Sequence, residues 1–308
     1  MAEITIVTAF FDIGRKNFSS YSRTNKDYLD YFKSWARIKN NVIIYTERKM
    51  AQKVIDIRNS YGLADKTRVV IINNINKLDV EVYEKFRCIE NNFYFKNYRF
   101  INPACSNKAE YNYIMYLKMY FINEAVQKLS LYGAIAWMDF GFGHGNEVFK
   151  NSKDFSYTWD YNFDEKVYLF YKDLLPDVPI FEIIRQQKYE GIMGCLMIFP
   201  HKLVGTVWNL YRQATLNCTE LGFMDDDQVI WLLAARMRPD LFCLIKSEWF
   251  MPLKIFGGIH LQIKLKDQTK LSLPNRIKDK LFFILELLKY LKKVFQVMYN
   301  EYIKYKFK

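Results

Sequence analysis

The first 72 residues alternate short β-branched runs with amphipathic stretches, and no other feature limits the possible folds so tightly. Glu3–Phe11 (EITIVTAFF) is apolar at almost every position, as expected for a strand buried on both faces, and it runs into Asp12, Gly14 and Arg15. Asn25–Lys39 then carries Tyr28, Tyr31, Phe32, Trp35 and Ile38 at helical spacing. Asn41–Thr46 (NVIIYT) predicts a second strand, Ala51–Ser60 a second helix and Thr67–Ile72 (TRVVII) a third strand. Parallel neighbours need crossover helices between them, so a β-α-β-α-β order predicts an α/β fold with a mostly parallel sheet.

The remainder continues the pattern less regularly. Asn76–Phe93 and Glu110–Leu129 read as helices, with Phe95–Lys108, which holds Pro103, irregular between them. Gly133–Met138 (GAIAWM) is a buried strand that delivers Asp139 into a glycine-rich loop, Gly141–Gly145. Residues 150–190 mix short strands and turns. Gly194–Phe199 and Leu241–Ile245 read as strands, Leu203–Leu216 and Asp226–Arg236 as helices, and 275–303 as one long helix. The expected division is a main domain over 1–274 and a helical tail over 275–308.

Charge separates these two parts. The tail holds nine Lys or Arg against three acidic residues, a net +6 out of +12 for the whole chain. Its apolar residues Leu281, Ile284, Leu285, Leu288, Leu291, Phe295 and Met298 recur at spacings of three and four, with lysines between and after them. A basic amphipathic helix of this kind suits an anionic membrane surface, although packing on its own domain or on a partner subunit would produce the same pattern. Nucleic-acid modules interleave basic residues with aromatics on their binding face, and here the excess sits on the tail, so no nucleic-acid partner is expected. The apolar run that starts within three residues of Met1 gives no expectation of a secretory signal, and no uncharged apolar run is long enough to span a bilayer. Five cysteines without a CxxC pair predict buried free thiols. The expected location is cytoplasmic, peripheral on the inner face of the cell membrane.

Two constellations could carry chemistry. In Trp137-Met138-Asp139-Phe140-Gly141 a strand presents one carboxylate at its C-terminal end, where open α/β sheets place ligands. Asp139 suits an Mg²⁺ or Mn²⁺ ion bridging a diphosphate, because phosphates and water supply the other ligands. It equally suits a turn cap. Asp225-Asp226-Asp227 opens an apolar helix. One of the three caps that helix, and crowding raises the pKa of at least one other, as a general base requires. Arg15 and Lys118 read as phosphate contacts or as ordinary solvated charges. His260, beside Gly257-Gly258, and His144, in the glycine-rich loop, are metal or phosphate-ligand candidates that read equally as surface histidines.

Taken together, Ile6-Val7-Thr8-Ala9-Phe10-Phe11-Asp12-Ile13-Gly14-Arg15, Tyr113, Lys118, Phe121-Ile122, Trp137-Met138-Asp139-Phe140-Gly141 and Asp226-Asp227-Gln228 resemble the HtrL/YibB family over roughly residues 3–262. Those bacterial proteins are associated with surface-polysaccharide and lipooligosaccharide loci and are similar to GT-A glycosyltransferases. The resemblance implies a GT-A-like nucleotide-sugar-binding fold with Thr8, Ala9, Phe10, Arg15, Lys118, Asp139 and Gly141 on the donor. It implies Asp139 and His260 as ligands of Mn²⁺ or Mg²⁺, although Gly141 replaces the second acid of the Asp-x-Asp pattern. Asp226 or Asp227 would be the catalytic base. The implied activity is hexose transfer from a nucleotide sugar, UDP-linked first of all, to a glycan or glycolipid acceptor. The competing expectation, prompted by the incomplete metal pattern, is a non-catalytic membrane-associated scaffold or regulator.

Overall fold

The computed structural model describes residues 4–18, 22–98, 106–172, 178–186, 191–264 and 273–306. Its strands are β1 (Thr5–Phe10), β2 (Val42–Thr46), β3 (Thr67–Ile71), β4 (Ala134–Met138), β5 (Val167–Tyr171), β6 (Leu196–Pro200) and β7 (Phe242–Lys246). They form one sheet in the order β3-β2-β1-β4-β6-β5-β7. The chain steps outward from β1 to β3, then crosses back to place β4 on the other side of β1. Only β6 is reversed, antiparallel to both β4 and β5. The expected α/β fold with a mostly parallel sheet is therefore present.

Both sheet faces are covered, which is why the strands read as continuous apolar runs rather than alternating ones. On one face Val7, Ile135 and Trp137 pack under α3 (Val80–Asn91), α5 (Ala109–Leu129), α7 (Val204–Glu220) and α8 (Asp227–Met237). On the other, Ile6, Ile44, Ala136 and Met138 meet α1 (Asn25–Trp35), α2 (Arg48–Asn59) and α9 (Met251–Ile255). Thr24 and Asp27 form a reciprocal capping box that starts α1. Arg58 on α2 is fully buried and donates to the carbonyls of Ala36, Ile38, Asn40 and Lys66. Those bonds tie the end of α1 to the start of β2, while burial lowers its pKa to about 10.

Departures from the sequence reading are local. The helix expected from Asn76 starts at Val80, because Asp79 accepts from the Val82 amide at 3.4 Å and caps it. The stretch expected to be irregular from Phe95 begins with a short helix, α4 (Phe93–Tyr98). Helices α6 (Ile180–Gln186) and α9 were not anticipated, being too short to show a period. Cys195 and Cys218 are buried free thiols as expected, but Cys88 is exposed on the outer side of α3, and Cys105 lies outside the described residues.

The tail is a single helix, α10 (Leu273–Lys306), so the expected boundary at 274/275 falls in its first turn. It rests on the body through one side. The Tyr94 hydroxyl of α4 donates to Glu301 at 2.5 Å, Arg185 of α6 donates to the Tyr290 hydroxyl at 2.6 Å, and Val297 is buried. Leu281, Ile284, Leu285, Leu288, Leu291, Phe295 and Met298 lie on the opposite side and are exposed. The amphipathic stripe thus does not serve packing on its own domain. Among the described residues no helix is long and apolar enough to cross a membrane.

Candidate active site

Reversal of β6 creates the site. Its N-terminal end lies beside the C-terminal end of β4, with Leu196 opposite Met138 and the Asp139 amide donating to the Cys195 carbonyl at 3.0 Å. Gly194 and Cys195 are thereby brought to the edge where the parallel strands end, the usual ligand edge of such sheets.

Lys118 reaches this edge from α5. Its ammonium donates to the Gly194 carbonyl at 2.9 Å and pairs with Asp139 Oδ1 at 3.0 Å and Asp227 Oδ2 at 2.8 Å. Two ion pairs and one carbonyl hydrogen bond surround it, the kind of pairing that a buried ammonium needs. Burial opposes its charge, but Asp139 and then Asp227 outweigh that and hold its pKa above the ordinary lysine value. Burial raises the Asp227 pKa, and Lys118 works against the rise. Asp139 is anchored further by the Trp137 indole N–H, which donates to Oδ1 at 2.7 Å.

The aspartate run divides its tasks. Asp226 is the cap of α8, accepting from the Gln228 amide at 3.1 Å, and its own amide donates to Asp225. Burial, then Asp225 and Asp227, push the Asp226 pKa well up. Asp227, one residue on, points at Lys118. Its carboxylate lies so close to Gly194 that a Cβ there would stand 1.9 Å from Oδ2. Gly194→Ala is therefore expected to push Asp227 off Lys118 and to lower stability by about 3 kcal/mol, as urea unfolding would measure. Unchanged stability would show that the contact is easily relieved.

In front of Asp139 lies an open cleft of about 780 Å³ of atom-free space, open solvent included. Ala9 and Phe10 form its floor at the end of β1, and Gly141 and Phe140 one side. Tyr111, Ile114, Met115 and Lys118 line it from α5, at the three- and four-residue spacing that places them on one helix face. Arg15 and Arg23 complete the cationic part of the lining. The Arg15 guanidinium lies 5.0 Å from the centre of the Tyr111 ring and 5.2 Å from that of Phe18. Its loop is held by Asp12, which accepts from the Gly14 amide at 3.0 Å and from Asn25 at 2.9 Å. Gly14 has φ 75°, a left-handed turn that glycine makes without strain. At Gly141 a Cβ would stand 3.3 Å from the Tyr28 ring, tight enough to favour glycine.

Six of the expected donor-site residues thus share one cleft: Ala9, Phe10, Arg15, Lys118, Asp139 and Gly141. Thr8 does not line it. Thr8 is fully buried within the sheet, and its hydroxyl has no hydrogen-bond partner among the described residues. Asp226 and Asp227 do not line it either; Asp227 connects to it through Lys118. Arg23, Tyr28, Tyr111 and Gly194 were not singled out from the sequence. Only Tyr111, spaced seven residues from Lys118, carried a signal that could have found it.

The residues named for a metal ion do not come together. The His260 ring lies against Tyr157 at 4.4 Å between centroids, with Nε2 2.9 Å from the Asp154 carbonyl. His144 packs between the Tyr31 and Phe250 rings, each centroid 5.7 Å away. Among the described residues no group of three or more His, Cys, Asp or Glu could hold a metal ion. Asp139 already carries an ammonium on Oδ1. This donor set does not fit a resident Mn²⁺ or Mg²⁺.

Residues 2–258 match the model of a family described as "Bacterial protein of unknown function (HtrL_YibB)". The chain belongs to the HtrL/YibB family. Protein HtrL of Escherichia coli (strain K12) is 28% identical over 287 residues, covering 85% of this chain and 95% of that protein. The family match ends near the close of the α/β body, ahead of α10. Among solved structures, mouse xyloside xylosyltransferase 1 in its apo form is similar with a TM-score of 0.41 at 9% identity, over 79% of this chain and 85% of that one. The 4-diphosphocytidyl-2C-methyl-D-erythritol synthase of Anaerococcus prevotii reaches a TM-score of 0.35 at 11% identity, over 84% and 95%. Likenesses this distant carry no weight for the function of this HtrL/YibB member.

Proposed function

We propose that the cleft binds a nucleotide sugar and that the protein transfers its hexose, from UDP-hexose first of all, to a glycan acceptor in surface-polysaccharide or lipooligosaccharide synthesis. One observation supports this most. Among the described residues, Arg15, Arg23 and Lys118 share a cleft with one carboxylate, Asp139, between aromatic walls at the C-terminal edge of a mostly parallel sheet. Guanidinium groups suit diphosphate oxygens, and flat rings suit a nucleobase or a sugar face. In the reaction an acceptor hydroxyl forms a bond to the anomeric carbon while the bond to the diphosphate breaks. Arg15, Arg23 and Lys118 stabilise the charge on the departing nucleoside diphosphate, and Asp139 accepts the hydroxyl proton. The role of base expected for Asp226 or Asp227 passes to Asp139 because, of these three aspartates, Asp139 is the one that lines the cleft. Asp227 then positions Lys118.

The test is a thermal-shift comparison of UDP, GDP, CMP and ADP. A ligand held by the folded state raises apparent stability by mass action, so UDP is expected to raise Tm and Arg15→Ala to abolish the rise. No shift with any nucleotide would favour the non-catalytic scaffold.

We also propose that α10 holds the protein on an anionic lipid surface, where a lipid-linked acceptor would be met. The exposed stripe from Leu281 to Met298 points away from the body, and exposed Lys289 and Lys292 flank it. Two such tails repel each other by their net charge, whereas anionic lipid attracts them. Leu288→Glu with Phe295→Glu is expected to abolish sedimentation with phosphatidylglycerol vesicles. Persistent binding would exclude the stripe as the contact. A wild-type dimer dispersed by the same pair would instead make it an interface with a second copy.

A further inference from the structure

We infer that the Lys118 ammonium stands in for the divalent cation that a GT-A-like site would otherwise hold, so that the donor diphosphate binds without a metal ion. The inference rests on the proposed donor reading and adds to it how the charge is balanced.

The ammonium occupies the point between two carboxylates where a bridging cation would be expected, 3.0 Å from Asp139 and 2.8 Å from Asp227. Its third donor is spent on the Gly194 carbonyl, so it is fixed rather than swinging. The second acid of the usual motif is replaced by Gly141, and any larger side chain there would press on Tyr28. His260 is held against Tyr157 and the Asp154 carbonyl and offers no compensating ligand. A divalent ion on Asp139 would have to share that carboxylate with the ammonium already on Oδ1, against like-charge repulsion in a partly desolvated site. With Arg15, Arg23 and Lys118 against Asp139 and the Asp227 paired behind it, the described charges at the cleft sum to +1, so the cleft is net cationic toward a sugar-linked diphosphate. The electrostatic need that a metal meets elsewhere is met here by side chains.

The deciding experiment is calorimetric titration of UDP into the wild-type protein, once in EDTA and once in Mn²⁺. The two affinities are expected to agree within about twofold. UDP binding that weakens at least about tenfold in EDTA would overturn the inference and leave the donor reading standing. Failure of UDP to bind in either medium would overturn both. Lys118→Ala supplies a second readout by thermal shift. Removing the ammonium leaves two facing carboxylates, so Mn²⁺ is expected to raise the Tm of this variant while leaving that of the wild type unchanged. Mn²⁺ stabilising the wild type as much as the variant would count against the substitution of lysine for metal.

Discussion

Lys118→Met is expected to lower the free energy of unfolding by about 3–5 kcal/mol and to depress Tm by roughly 10 °C. Methionine fills similar space, so the loss is electrostatic rather than a cavity effect. The variant leaves Asp227, with a side chain only 4% exposed, facing Asp139 with no counter-charge between them. Removing one partner of a buried pair costs more than the pair contributes, because the other charge stays desolvated. The loss should also depend on pH. The Asp227 carboxyl titrates above its ordinary value even beside Lys118, and higher still without it. A folded state that holds the proton more tightly than the unfolded chain gains stability as pH falls through the folded pKa. The gap between variant and wild type should therefore narrow on acidification. Urea unfolding at neutral and mildly acidic pH measures both effects, and a gap that widened in acid would mean that Asp227 is not the stranded charge.

Asp139→Ala is expected to reduce turnover by at least about 100-fold, the lower end of what general-base catalysis contributes. Trp137 and Lys118 both contact Oδ1, which leaves Oδ2 uncommitted among the described residues on a side chain that is 34% exposed at the cleft. Donor affinity should change much less than kcat, since the diphosphate is held by the Arg15 and Arg23 guanidiniums. Asp139→Asn is the sharper control. It preserves the shape and an acceptor for the Trp137 indole but cannot take a proton. If Asp139→Asn retained wild-type turnover while Asp227→Ala did not, Asp139 would be excluded as the base and the loss in the second variant would be traced to the displaced Lys118. If both retained it, the site would be elsewhere.

The architecture was legible in the sequence because it follows from short-range regularities. Short, β-branched apolar runs such as Ile4–Phe11 and Ala134–Met138 read as strands covered on both faces, and the helices between them repeat at three and four residues. Those facts determine a parallel α/β sheet with its ligand edge at Phe10 and Asp139 before any contact is known. They also determine the basic, amphipathic character of α10. What they could not determine is how separate segments meet. One strand, β6, runs backwards, and nothing in its five residues records a direction. That reversal sets Gly194 beside Asp139 and lets Asp227 lie against a glycine. The same limit explains the roles of Lys118 and the aspartates. A lysine on an apolar helix looks like a solvated charge until the tertiary structure puts two carboxylates and a carbonyl within 3.0 Å of it. Whether Asp226 or Asp227 caps α8 depends on one residue of phase, which the backbone decides and the run of three acids hides. Periodicity specifies which face of an element is buried, but pairing between elements distant in sequence depends on the packed whole.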